Sequence, residues 1–162
     1  MKLAIIYYSR NGHTKEMAEI IKKAMMSEEN IEAEAFDIEN VDYDYIKESK
    51  AVVFGTPTYY ANTCWQMKKW FDESRNCDLE GKLGAVYATA DYIQGGAASA
   101  MLTIINHLMV KGMLVYSGGS ALGQPFLHLG AVAVKGNFEE SKSNFEIFGQ
   151  RIAKKAKELF EK

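Results

Sequence analysis

Four continuous apolar runs, each followed by a helical pattern, restrict this chain more than any other feature. They are Leu3-Ala4-Ile5-Ile6-Tyr7-Tyr8, Ala51-Val52-Val53-Phe54-Gly55, Leu83 to Ala90 and Met113-Leu114-Val115-Tyr116. A strand with no polar alternation is buried on both faces, which happens where helices cover both sides of a parallel sheet. Ile31 to Asp37 adds a strand whose alternating Ile31, Ala33, Ala35 and Glu32, Glu34 suit an edge. Five strands with crossover helices predict a three-layer α/β fold, doubly wound, with strand order 2-1-3-4-5. The intervening helices are expected at Met17 to Met25, Val41 to Ser49, Cys64 to Ser74 and Gly95 to Val110. A last helix spans Phe138 to Phe160, with a core face of Phe145, Phe148, Ile152, Ala156 and Leu159 and an Asn137–Glu140 capping pair. With 162 residues and no linker or repeat, residues 1–162 are expected to form one domain.

In this order the crevice between the carboxyl ends of the first and third strands is where ligands bind. Three loops are expected around it. The first is Ser9-Arg10-Asn11-Gly12-His13-Thr14, between a buried strand and an amphipathic helix. Unpaired N–H groups at a helix start carry partial positive charge, Ser9, Asn11 and Thr14 add donors, and Gly12 lets the backbone approach closely. This reads as a phosphate cradle; the alternative is an ordinary helix start capped by Thr14. The second loop is Thr56-Pro57-Thr58-Tyr59-Tyr60-Ala61-Asn62 and the third Thr89-Ala90-Asp91-Tyr92-Ile93-Gln94-Gly95-Gly96. Both bring tyrosines and small polar groups to one edge, as a flat aromatic ligand requires.

These residues carry a family resemblance. The Ser-x-x-Gly-His-Thr turn, Pro57 to Asn62 and Gly95-Gly96 resemble the flavodoxin-like FMN flavoproteins, over essentially the whole chain. Pro57 to Asn62, continuing through Gln66-Met67-Lys68 to Phe71-Asp72, is most similar to the NAD(P)H:quinone oxidoreductase branch, once described as tryptophan-repressor-binding protein. The resemblance implies that Ser9, Arg10, Asn11, Gly12, His13 and Thr14 hold the FMN phosphate. Pro57, Thr58, Tyr59, Tyr60, Ala61 and Asn62 would line one side of the isoalloxazine. Thr89, Ala90, Asp91, Tyr92, Gly95 and Gly96 would take the pyrimidine and ribityl side. The chemistry would sit on FMN, with the ring face shaped by Tyr59, Tyr60, Trp65 and Tyr92. Four positions depart from the branch: Tyr59 replaces a usual arginine, Ala61 a glycine and Lys111 a histidine, and Asp91 to Gly96 lacks Ser-x-x-x-Gly-Gly. They bear on substrate and nucleotide specificity rather than on FMN.

Other phosphate chemistries on this fold are excluded by residue type. A receiver domain needs acids after the first strand, where Ser9-Arg10 stand, and an aspartate at the third, where Gly55-Thr56 stand. The first loop has no cysteine for a low-molecular-weight phosphatase, and neither G-x-G-x-x-G nor G-x-x-x-x-G-K-[ST] occurs. A net charge of −2 argues against nucleic acid. Cys64 and Cys77 lack metal-ligand spacing and suit a reduced, cytoplasmic setting, with no metal, no leader before Met1-Lys2 and no membrane span expected.

The expected function is that of an FMN-dependent oxidoreductase passing electrons from NAD(P)H to a quinone or similar small acceptor. The alternative is a flavodoxin-type carrier exchanging single electrons with protein partners; an FMN-binding module without turnover is a third class. Carriers are usually strongly acidic for steering, so the charge of −2 favours the enzyme here. Residues 28 to 48 do hold nine acidic side chains against one lysine, read as a solvated edge. From Asp91 to Asn137 only Asp91, Lys111 and Lys135 are charged, more apolar chain than a monomer of this size buries. A homo-oligomer, dimer or tetramer, is therefore expected, and it also favours the enzyme. Ser117 to Lys135 reads as a long functional loop whose Phe126, Leu127 and His128 roof a flavin of the same or a neighbouring subunit.

Overall fold

A computed structural model describes residues 1–161. Seven strands and five α-helices follow one another as β1 (Lys2–Tyr7), α1 (His13–Met25), β2 (Glu32–Asp37), α2 (Tyr43–Glu48), β3 (Ala51–Tyr59), β4 (Asn62–Thr63), α3 (Trp65–Glu73), β5 (Leu83–Ala90), α4 (Ala97–Val110), β6 (Leu114–Val115), β7 (Ala131–Val134) and α5 (Phe138–Phe160). The main sheet runs β2-β1-β3-β5-β6, with β7 also on β5 and β4 folded back on β3 as a hairpin. All pairings except β3–β4 are parallel. The expected order is therefore present, with its fifth strand in two pieces.

Each apolar strand feeds two cores because its side chains alternate between faces. Leu3, Ile5, Val53, Ala85 and Tyr87 join Met17, Ile21, Phe145, Phe148 and Ile152 of α1 and α5. Ala4, Ile6, Val52, Phe54, Val86 and Ala88 join Met67, Trp70, Phe71, Ile104 and Leu108 of α3 and α4. The predicted face of α5 is fully buried at four positions, but Leu159 is largely exposed. Asn137 precedes α5 without a side-chain cap bond, so the expected Asn137–Glu140 pair is corrected; the Asn137 carbonyl accepts instead from the Ser141 hydroxyl and amide.

The fifth strand is where the sequence reading falls short. Leu114–Val115 pairs with Leu83 and Gly84, and Ala131–Val134 resumes beside Tyr87 to Ala90. Residues 116–130 leave the sheet and return, so β7 lies inside what reads in sequence as loop. Gly130 makes the return possible: a Cβ there would lie 1.8 Å from the Val86 carbonyl oxygen. The charge-poor region divides accordingly. Ala100, Met101, Ile104, Leu108, Ala131 and Ala133 are core, whereas Met109, Val110, Leu114, Leu122 and Phe126 stay exposed. Among the described residues no helix is long and apolar enough to cross a membrane.

Candidate functional site

The carboxyl ends of β1, β3 and β5 converge on a narrow cavity of about 50 Å³ that opens into a wider trough of about 320 Å³. The cavity is bordered by the loop that reads in sequence as a phosphate cradle. Its floor forms because β1 stops at Tyr7 and Gly12 takes φ +92°, a left-handed conformation that turns the chain straight into α1. The Gly12 N–H donates to the Ser9 hydroxyl at 3.1 Å, drawing the turn into a ring. Gly12 is the N-cap, so Thr14 is not; it lies in the first turn, buried, 2.8 Å from the Thr89 hydroxyl. That bond joins the first loop to the end of β5. Beneath it the buried Tyr87 hydroxyl donates to the Thr14 carbonyl at 2.7 Å.

Ser9, Arg10, Asn11, His13 and Thr14 line the cavity on one side, and Pro57, Thr58, Tyr59, Thr89, Ala90 and Asp91 on the other. Burial pushes the Tyr59 phenol above its usual range, with the Arg10 charge working the other way. Phe138 is the member that sequence reasoning missed. Nothing local marks it, because only the packing of α5 along α1 brings its first residue here. Its ring stacks on His13, with centroids 4.2 Å apart and planes at 29°.

The trough lies between Thr58, Tyr59, Tyr60 and Ala61 on one bank and Ala90, Asp91, Tyr92 and Gly95 on the other. Tyr60 and Tyr92 project into solvent. Tyr60 and Ala61 form the two-residue turn of the β3–β4 hairpin with φ +49° and +58°, which twist-matched hairpins require at both positions. Three predicted residues lie elsewhere. The Asn62 side chain accepts from Thr103 Oγ1 at 2.7 Å and from the Thr63 amide, so it braces the hairpin on α4. Gly96 caps α4 at φ +87°, and a Cβ there would lie 2.5 Å from Ala61. Trp65, 67% exposed, lines neither depression, because α3 begins there and the preceding Cys64 takes the buried position. Phe126, Leu127 and His128 border a separate groove with Met101, Val132 and Asn144 and do not line the cradle of their own subunit.

The donor set fits a flavin nucleotide. Among the described residues the Thr58 hydroxyl oxygen is sealed from solvent with no hydrogen-bond partner, and it borders both depressions. Such an atom costs roughly 1–3 kcal/mol unless a ligand completes it. The cradle adds the start of a 13-residue helix and the Arg10 guanidinium, both suited to an anion.

A family model described as Flavodoxin matches residues 5–162. The chain is 51% identical to a flavodoxin of Clostridium saccharobutylicum over 160 residues, covering 99% of this chain and 100% of that one. It is 29% identical to an NAD(P)H dehydrogenase (quinone) of Geotalea daltonii over 143 residues, covering 71% of this chain and 70% of the relative. A solved archaeal flavodoxin superposes with a TM-score of 0.79 at 26% identity, covering 97% and 99% of the two chains. These similarities overturn the expectation of an NAD(P)H:quinone enzyme. The relatives bearing that activity in their names match at 26–29%, with similar partial coverage, whereas the full-length 51% relative is a flavodoxin. The charge argument misled because nine of the acids are concentrated in residues 28 to 48 while the lysines are spread along the chain, so a small net charge conceals an acidic edge.

Proposed function

The chain belongs to the flavodoxin family, and from that premise we propose that it binds FMN and carries single electrons between protein partners. The observation that carries this reading is the 51% identity to a flavodoxin across the whole of both chains. The cradle geometry supports it independently. Bound FMN would supply a ring system able to take up and release electrons one at a time.

The residues divide the work by position. The N–H groups at the start of α1, with Ser9, Asn11 and Arg10, receive the phosphate. Either hydroxyl of the Thr14–Thr89 pair can donate; with Thr89 as donor the Thr14 proton is free for a phosphate oxygen, and one buried hydroxyl pair then serves both the fold and the ligand. Thr58 offers its unpartnered hydroxyl where the cradle meets the trough. The trough is open to solvent between Tyr60 and Tyr92, so a ring held there has an edge that a partner protein reaches without any lid moving.

Coulometric titration of the FMN-reconstituted protein tests the reading. A carrier takes up electrons in two separated one-electron steps and reduces a one-electron acceptor protein. A single two-electron step with no transfer to such a protein would overturn it.

A further inference from the structure

We propose that His13, held by Phe138, is a proton-dependent selectivity residue for the flavin phosphate: FMN binding takes up a proton on its imidazole, and riboflavin binding does not. This rests on the FMN reading above. His13 is half-buried and lines the cavity beside Arg10, Asn11 and Thr14. Its stack on Phe138 covers one ring face and restricts the rotamers that would swing it away. Imidazole is the side chain whose charge ordinarily changes between pH 5 and 8. A phosphate monoester loses its second proton near pH 6, so a dianion and a charged imidazole coexist just above that pH.

The charges around His13 leave it free for this role. Glu16, one turn along α1, and Glu139, on α5, both pair with Lys142 at 2.7 Å, so neither needs the imidazole as counter-ion. Arg10 from the first loop and Asp91 from the third line the same cavity, and burial keeps the Tyr59 phenol of β3 neutral. An arriving phosphate is then the strongest negative charge near the ring. The sign follows from linkage: the complex holds more protons than its separate parts, so affinity for FMN falls as pH rises.

Flavin fluorescence quenching on the full-length apoprotein, with FMN and riboflavin between pH 6.5 and 8.5, tests this. FMN should bind roughly tenfold more weakly at the upper end, one decade per proton-affinity decade, while riboflavin stays flat. His13→Gln should bind FMN at the high-pH level throughout, and Phe138→Leu should show a shallower slope. In the NMR spectrum the His13 ring signal should titrate over a more alkaline range with FMN than without. An unchanged slope in His13→Gln, an equal slope for riboflavin, or a His13 signal indifferent to FMN each overturns the proposal and leaves the electron-carrier reading intact. Failure of both flavins to bind at any pH would overturn that reading and this inference with it.

Discussion

The Tyr87 hydroxyl donates to the Thr14 carbonyl at 2.7 Å, pinning the first turn of α1 to the centre of the sheet from below. Gly55, on the neighbouring strand, leaves the room for this ring: a Cβ there would lie 2.1 Å from it. Tyr87→Phe removes one neutral buried hydrogen bond, so it should cost about 1 kcal/mol. Gly55→Ala displaces the ring itself and should cost more, about 1–3 kcal/mol as overpacking. Urea denaturation of both variants, with FMN affinity alongside, checks the order. Equal midpoints for Gly55→Ala and the parent would refute the steric reading.

What the sequence disclosed was whatever depends on neighbours along the chain. The turn from Ser9 to Thr14 is legible because the donors an anion needs stand within six residues. The four long apolar runs are legible because burial on both faces suppresses alternation. Ala131–Val134 is hidden because four small residues after Gly130 become a strand only through pairing with Tyr87 to Ala90, far back in the chain. Phe138 is hidden for the same kind of reason, being delivered by the packing of a helix. Trp65 was misassigned because one residue's difference in helix start decides whether it or Cys64 faces inward. The choice between carrier and enzyme was not legible in the cradle at all, since both use the same anion chemistry.

The hairpin at Tyr60 and Ala61 holds two non-glycine residues in the left-handed region. That conformation costs an L-residue about 1–2 kcal/mol, partly offset by the greater freedom glycine has when unfolded. Ala61→Gly should therefore stabilise the apoprotein by about 0.5–1 kcal/mol. Thermal unfolding of the variant reads this directly. A lower midpoint would mean that the Ala61 contact with Gly96 outweighs the backbone strain.

Alkaline stability should be limited at the acidic edge. Burial, with Glu34, Glu32 and Glu48 nearby, pushes the Tyr45 phenol up to about 12. Burial also raises Tyr87. With an ordinary value of 10.0, the unfolded chain loses these protons first. The stabilisation is thus whole below pH 10 and declines as pH climbs from 10 towards 12. The Tyr45 hydroxyl is also buried without a partner among the described residues. Tyr45→Phe should accordingly gain about 1 kcal/mol at neutral pH and flatten the decline above pH 10. Urea midpoints at pH 8, 10 and 11 test both parts; an unchanged alkaline slope would assign the decline to Tyr87.

Arg151 organises the excursion between the two halves of the fifth strand. Its guanidinium donates to the carbonyls of Gly118, Gly119 and Pro125 through one nitrogen and to those of Leu122, Gly123 and Gln124 through the other, at 3.0–3.5 Å. A planar fork with five N–H donors suits such a ring of acceptors, whereas an ammonium has three donors at a single point. Arg151→Lys should therefore rescue little of what Arg151→Met loses, at least about 2 kcal/mol given the charged donor. The damage should also be local. Amides of residues 117–124 should exchange much faster in Arg151→Met, while FMN affinity changes less than about twofold, because none of these carbonyls borders the cradle or trough. Exchange no faster than in the parent would show that the loop holds its shape without the guanidinium. A large loss of FMN affinity would instead tie the excursion to the site, through β7 and its pairing with Thr89 and Ala90.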